Sequence, residues 1–189
     1  MFPLFETLAV KDGQILNIEY HQVRYERSLH AYYAHQRIQI FDLAQMLQIP
    51  SACHQGLFRC RLDYNHQLVQ AAYYPYQPRH LRRFKPIICN DIDYHLKYSN
   101  REQLNVLFAQ RGEYDEIMII KGGKITDCSI GNLIFKKENQ WFTPDSPLLA
   151  GTQREKLLAE GKIIECPIRI EELPQFSEVR LINALNPLE

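Results

Sequence analysis

Alternating apolar and polar positions predict two hairpins in the first 80 residues. The stretch L-F-E-T-L-A-V over 4–10 predicts a strand, and K-D-G-Q supplies a tight turn in which Gly13 takes a positive φ. Q-I-L-N-I is then the returning strand. The second hairpin is predicted over 57–63 and 67–74, around the turn Y-N-H. Arg59 and Arg61 alternate with apolar residues there, so both should project from one face of the sheet.

Apolar and aromatic residues at helical spacing lie between the two hairpins. They predict a helix over 21–37 and a shorter one over 41–47. The stretch 73–86 then combines three prolines with five basic residues, counting histidine, which is typical of a linker. We therefore expect a small N-terminal α/β lobe over 1–80 and a larger lobe over 81–189.

The second half changes its pattern from hairpins to mixed helices and strands. This mixture predicts an α+β lobe with a mostly antiparallel, curved sheet, and so an α+β fold class for the chain. Helices are predicted over 101–111 and 152–161, a helical turn over 171–176, and strands over 115–120, 124–127, 132–137, 140–144, 163–168 and 178–183.

Composition narrows the possible functions. The 189 residues are 46% hydrophobic, enough for a compact core, and 22 basic side chains balance 22 acidic ones. The sequence contains no basic stripe that would indicate nucleic-acid binding. Five cysteines are scattered without a C-x-x-C pair, and no histidines share a ligand-presenting helix face, so we expect free thiols and no metal site. With neither a signal peptide nor a membrane-length apolar run, a cytoplasmic protein is expected, with no membrane or nucleic-acid partner.

Three polar features indicate chemistry, although each has a structural alternative. In L-L-A-G-T-Q-R, over 148–154, glycine and threonine begin a helix whose N–H groups favour a phosphate, and the structural alternative, favoured for this motif in isolation, is that Thr152 is merely an N-cap. Arg24 is consistent with an anion site or with a surface helix charge. Asp127 is suited to hold a protonated ring nitrogen, or to form a turn.

The order of the motifs is more specific than any one of them. Together they resemble the class IV aminotransferase-like, fold-type IV pyridoxal-phosphate (PLP) enzymes, with the two-lobe architecture of D-amino-acid and branched-chain aminotransferases, over nearly the whole chain. The motifs are F-E-T (5–7), H-x-x-R-x-x-x-S (21–28), L-K-x-x-N-R (96–101), D-E-I-M-I-I-x-x-G-x-I-T-D-x-x-x-x-N-L-I-F (115–135), W-F-T-P (141–144), L-L-x-G-T-x-R (148–154) and E-V-R-L-I-N-A-L (178–185).

This resemblance implies that Lys97 is the lysine that binds the cofactor aldehyde and later moves protons. The amine must lose its proton to act, and the adjacent Tyr98, Ser99 and Asn100 bring no carboxylate that would stabilise the ammonium form. The resemblance implies further cofactor-binding residues: Arg24 and the N–H groups of Gly151 and Thr152 for the phosphate, Asn183 and Ala184 beside it, and Asp127 for the pyridine nitrogen.

The chain departs from the family pattern in three places. Aspartate stands at 127 where glutamate is usual, alanine stands at 184 where many relatives have threonine or serine, and only four residues precede Phe5, which implies a shortened small lobe. These changes shorten one side chain by a methylene, remove one hydroxyl and leave fewer residues to close over the substrate, so a PLP-fold binding protein with impaired catalysis is one of the hypotheses.

Within the family, L-K-x-x-N-R-x-E-Q and the closing N-A-L are most similar to the aminodeoxychorismate lyases. The expected reaction converts 4-amino-4-deoxychorismate to 4-aminobenzoate and pyruvate in folate biosynthesis. The alternative enzyme is an aminotransferase for D-amino or branched-chain amino acids. Thr7 and Arg59 are the expected substrate-binding residues, with Arg61 as the alternative arginine for a substrate carboxylate. The resemblance also implies a homodimer.

Overall fold

The computed structural model describes residues 1–188, which form two compact units. The first unit consists of 1–78 together with 96–100, and the second of 79–95 together with the chain from Arg101 onwards. The lobes expected from the sequence place 96–100 in the second lobe, whereas the structure groups this segment, which carries Lys97, with the first unit.

The first unit is a four-stranded sheet covered on one face by a helix. Its strand order is β2-β1-β3-β4, with β1 antiparallel to both neighbours. The elements are β1 (Leu4–Lys11), β2 (Gln14–Ile15), α1 (Ile18–Tyr32), α2 (Leu43–Met46), a 3-10 helix (Ser51–Cys53), β3 (Leu57–Tyr64) and β4 (Val69–Pro75).

Strand alternation divides this sheet into a core face and an opposite face. Leu4, Leu8 and Val10 of β1 are fully buried in one cluster with Tyr25 and Leu29 of α1. The odd-numbered residues of β1 and β3 therefore project from the other face. At about 2 kcal/mol for each fully buried large side chain, this cluster holds α1 on the sheet.

Two helices of this unit differ in extent from the sequence-based prediction. The helix predicted over 21–37 spans Ile18–Tyr32, because Asn17, in the left-handed conformation at φ 54°, starts the helix directly after β2. The returning strand is consequently only two residues long. The helix predicted over 41–47 is limited to four residues. It begins after Asp42, whose carboxylate accepts from the N–H groups of Ala44 and Gln45, and it ends before Leu47, whose backbone is extended.

The second unit contains two sheets, where one mostly antiparallel sheet was predicted. Their orders are β10-β9-β8-β11 and β5-β6-β7, and the pairs β5–β6 and β9–β10 are parallel because a helix connects each pair. The elements are β5 (Phe84–Ile88), α3 (Glu102–Ala109), β6 (Glu116–Lys121), β7 (Lys124–Ile125), β8 (Asn132–Lys137), β9 (Gln140–Pro144), α4 (Thr152–Ala159), β10 (Ile164–Cys166), a 3-10 helix (Ile170–Gln175) and β11 (Glu178–Ile182).

The core of the second unit joins residues from both of its sheets. Met118 and Ile120 of β6 are buried in the same cluster as Leu133 and Phe135 of β8 and Ile168. Helices and strands thus alternate as expected, and the α+β fold class is confirmed.

Candidate active site

The segment that carries Lys97 is attached to the edge of β1. The Phe5 N–H donates to the Lys97 carbonyl at 3.0 Å, the Ser99 N–H donates to the Pro3 carbonyl at 2.7 Å, and Tyr98 forms an antiparallel bridge with Leu4. Strand β2 covers this edge only near the far end of β1, so 96–99 occupies the part that remains. The backbone of Lys97 is therefore fixed to the sheet of the first unit.

The amine of Lys97 lies beside an aromatic ring. Its Nζ is 4.8 Å from the centroid of the Phe5 ring, and the side chain is half-buried. The positive charge of Lys97 is also one of the causes that lower the pKa of buried His21. The Lys97 amine is therefore close enough to the Glu6-facing side of α1 to act on His21.

Arg24 is held in a buried charge cluster on the core side of the sheet. Its Nε donates to Oε1 of Glu6 at 2.8 Å, and its Nη2 makes a second, shorter contact with Oε2. Nδ1 of His21 lies 2.8 Å from the same Oε2. Glu6 and His21 are fully buried and Arg24 is 4% exposed. We call Glu6, His21 and Arg24 the Glu6 cluster.

The protonation states of the residues in the Glu6 cluster are determined by their burial and by the charges of their neighbours. Burial alone would raise the pKa of Glu6, but the charge of Arg24 and the bonds from His21 and Arg24 outweigh it and lower that pKa to about 2. Burial lowers the pKa of His21, and Arg24 and Lys97 act in the same direction. At neutral pH the cluster is thus a carboxylate, a guanidinium and a neutral imidazole.

The two arginines of β3 differ in their partners. Arg61 forms a bidentate ion pair with Asp63, through Nε at 2.9 Å and Nη2 at 2.7 Å, and its guanidinium lies 4.1 Å from the Phe5 ring. Arg59 is exposed and lies over Tyr74 at 4.9 Å, and no carboxylate of residues 1–188 pairs with it. Thr7 is opposite Arg61 in the strand register, so it projects from the same face.

Asp127 is buried in the second unit, where both of its oxygens accept hydrogen bonds. Nδ2 of Asn132 donates to Oδ1 at 3.0 Å, and the Leu149 N–H donates to Oδ2 at 3.0 Å. Burial nevertheless raises the pKa of Asp127 to about 7, and these bonds oppose the shift without cancelling it. Around neutral pH this carboxyl group therefore responds to any charge placed next to it.

Gly151 and Thr152 begin α4, the helix expected at this motif. Gly151 is the N-cap residue and Thr152 the first helical one, so the alternative in which Thr152 caps the helix is wrong. A Cβ on Gly151 would lie 2.0 Å from Oδ1 of Asn132, whose Nδ2 also donates to the Leu149 carbonyl at 2.9 Å. Asn132 thus connects Asp127 to the start of α4, where the helix dipole favours anions.

Asn183 and Ala184 follow β11 in a tight turn. Nδ2 of Asn183 donates to the Ile130 carbonyl at 3.1 Å, and its Oδ1 accepts from the N–H groups of Leu185 and Asn186, each at 2.9 Å. The side chain of Asn183 is therefore used to shape the turn. Ala184 has no polar side-chain atom, so any contact that it makes with a ligand must come from its backbone.

Each unit brings some of the sequence-predicted residues together. In the first, Lys97, Thr7 and Arg59 belong to one edge and one face of the sheet, and Arg24 lies behind it. In the second, the turn 127–132 links Asp127 to Gly151 through Asn132, and to Asn183 through Ile130.

Sequence reasoning missed three polar residues that build these sites. They are Glu6, His21 and Asn132. A signal for Glu6 was present, because in L-F-E-T-L-A-V the glutamate occupies an inward position between Leu4 and Leu8. A carboxylate at such a position requires a buried partner.

Within residues 1–188, no three histidine, cysteine or acidic side chains come together as a metal site would require. Over the same part of the chain, no helix has the length and apolar character needed to cross a membrane.

Comparisons with known proteins agree in one family. A family model described as amino-transferase class IV matches residues 95–188. An uncharacterized protein from Haemophilus influenzae is 56% identical over 188 residues, with a coverage of 100% for each chain. A crystal structure from Haemophilus somnus, provisionally named a 4-amino-4-deoxychorismate lyase, is 54% identical with a TM-score of 0.96, over 100% of this chain and 98% of that one. The PLP-bound form of a hypothetical aminotransferase from Mycobacterium tuberculosis shares the fold, at 16% identity and a TM-score of 0.80, over 98% of this chain and 78% of that one.

Proposed function

Because this chain belongs to the class IV aminotransferase family, we propose that it is a PLP-dependent enzyme, and that it cleaves 4-amino-4-deoxychorismate to 4-aminobenzoate and pyruvate. The observation that carries the proposal is the Lys97 amine, half-buried beside Phe5 on a segment bonded to the edge of β1. The provisional name of the Haemophilus somnus protein supports the choice of reaction.

The side chains present fit the cofactor. Lys97 supplies a partly desolvated amine, and Arg24 supplies a guanidinium that Glu6 already holds in one orientation. The N–H groups at the start of α4 suit a phosphate ester, and buried Asp127 suits a pyridinium nitrogen. A pyridinium beside Asp127 would lower the pKa of this carboxyl below about 7, and so favour its ionised form.

When bound, PLP supplies an electron sink for the pair of electrons left when a bond next to the substrate amine is broken. Lys97 would bind the cofactor aldehyde before substrate arrives. Its freed Nζ would then accept a proton from the ring carbon or donate one to the departing enolpyruvyl group. The elimination is balanced, because aminobenzoate and pyruvate together contain all the atoms of the substrate.

The substrate carries two carboxylates, and Arg59 is the residue proposed to bind one of them. Arg61 is less suited, because Asp63 already occupies its Nε and Nη2 edge. Thr7 is proposed as a second contact from the same face. Arg59→Lys should raise KM for the lyase substrate at least about tenfold, since lysine cannot form the bidentate bond. Arg61→Lys is the matched control, and an equal rise in both variants would contradict the assignment.

The cofactor proposal is tested by the colour of the purified protein. After incubation with PLP, the wild type should develop a visible absorbance band that borohydride reduction removes, and peptide mass analysis should then find the cofactor on Lys97. Lys97→Ala should lack the band. Lys136→Ala is the control, because this lysine also lies over an aromatic ring, that of Trp141. A wild type that stays colourless would favour the alternative of a non-catalytic binding protein.

Product analysis distinguishes the two enzyme hypotheses. The lyase releases 4-aminobenzoate and pyruvate without an amino acceptor, whereas an aminotransferase converts a D-amino or branched-chain amino acid only when a keto acid is supplied. We further propose, on the likeness to the family, that the enzyme is a cytoplasmic homodimer. Light scattering at micromolar concentration tests the dimer, and a monomer would reject it.

A further inference from the structure

Fully buried Glu6 is not assigned any contact with cofactor or substrate in the reaction proposed above. It is placed by β1 among the leucines of the core, at 0% exposure, where an unpaired carboxylate would cost several kcal/mol. A leucine would fit the alternation of the strand and would avoid this cost. The contacts of the Glu6 carboxylate should therefore explain why a charged residue occupies this core position.

The contacts of Glu6 are directional. Nε and Nη2 of Arg24 both point to its two oxygens, which is the side-on bidentate geometry, and this leaves the Nη1 side of the guanidinium directed away from Glu6. Oε2 is also contacted by His21 Nδ1 at 2.8 Å. Because His21 and Arg24 are both side chains of α1 and both contact Glu6, neither Glu6 nor Arg24 can rotate without breaking a buried bond.

We propose that Glu6, itself held by His21, is a positioning residue that fixes the Arg24 guanidinium so that its far edge receives the phosphate of the cofactor. The inference rests on the proposed function, because it takes Arg24 as a phosphate ligand. The three residues of the Glu6 cluster then act as one anion-binding unit, of which only Arg24 touches the ligand.

The charge of Glu6 and its effect on the orientation of Arg24 lead to opposite predictions for phosphate binding by the Glu6 cluster. The negative charge of Glu6 partly neutralises Arg24, so if charge dominated, Glu6→Gln would tighten the binding of a phosphate ester. If orientation dominates, Glu6→Gln weakens it, since the amide has one acceptor atom instead of two and its NH2 group would face one of the guanidinium N–H donors. We expect orientation to dominate, because a buried guanidinium that loses its fixed partner must find other acceptors.

The test compares two ligands that differ only in the phosphate. Dissociation constants for PLP and for pyridoxal are measured by absorbance titration of the wild type, Glu6→Gln, Arg24→Lys and the double variant. Glu6→Gln should weaken PLP binding at least about tenfold and pyridoxal binding by less than about twofold. The double variant should bind PLP about as weakly as Arg24→Lys alone, since both changes remove the same interaction.

Glu116→Gln is the matched control, because it removes the other fully buried glutamate of residues 1–188, one that bonds to Ser129 in the second unit. It should leave the ratio of PLP to pyridoxal affinity unchanged. Tighter or unchanged PLP binding in Glu6→Gln, or an equal loss for both ligands, would overturn the positioning role. If the wild type itself binds no PLP, the proposed function fails first, and that result is recognised before any variant is measured.

Discussion

Replacing Gly151 by alanine tests the closest contact in the second unit. The new Cβ would lie 2.0 Å from Oδ1 and 3.1 Å from Cγ of Asn132, so the amide must move. It cannot move freely, since Nδ2 of Asn132 donates to Asp127 and to the Leu149 carbonyl. Breaking these two bonds and leaving a buried carboxylate under-bonded should cost about 3 kcal/mol of unfolding free energy.

The assay is urea denaturation followed by circular dichroism, with Gly161→Ala as control. Gly161, at the other end of α4, has φ +66° and no atom within 4 Å of a new Cβ, so its alanine variant should lose only about 1 kcal/mol from backbone strain. In an Asn132→Ala background, Gly151→Ala should cost less than about 1 kcal/mol, because the clashing amide is absent. A full penalty in that background, or an equal penalty for the two glycines, would refute the reasoning.

Three further predictions concern titration and thiols. The pKa of Glu6 is lowered from 4.5 to about 2, so its stabilising contribution is complete above pH 4.5 and is lost as pH falls toward 2. The wild-type protein should therefore lose unfolding free energy over this range, and Glu6→Gln should not show this loss. The pKa of Asp127 is raised from 3.8 to about 7, so its contribution to the unfolding free energy is complete below pH 3.8 and is lost as pH rises through 7. Asp127→Asn should remove this decline, and parallel pH profiles of the variant and the wild type would contradict the prediction. In the folded protein a thiol reagent should modify half-buried Cys89 and Cys166, while buried Cys53, Cys60 and Cys128 should react only after unfolding, as thiol counting by mass spectrometry would show.

Local patterns predicted the elements of this fold well because strand and helix periods are short-range properties. The hairpin of β1 and the strands at 132–137 and 140–144 appear where alternation and turn residues indicate them. The parallel pairing of β9 with β10 could not be read from the sequence, since it depends on how α4 returns the chain. The extent of α1 depended on the left-handed conformation of Asn17, which apolar periodicity does not report.

Residues of the candidate site could be predicted where they occupy a position of a sequence motif. They could not be predicted where they act by holding another side chain. Lys97 and Gly151 stand in ordered motifs, and their surroundings suit the chemistry that the resemblance implies. Arg24 was expected as an isolated phosphate ligand, but its side chain is held by Glu6, fifteen or more positions away in the sequence from both His21 and Arg24. Such a pair is created by the packing of α1 on β1, which requires knowledge of the tertiary structure.

The five residues 96–100 are joined at both ends to chain that belongs to the second unit, yet they complete the sheet of the first. No single cut can therefore separate the two units as independent fragments. A gene truncated after codon 78 would encode a sheet with an uncovered edge and without Leu96 in its core, and it would also lack Lys97. Insertions near either end of this short segment should accordingly disturb the folding of residues that lie more than ninety positions earlier in the chain.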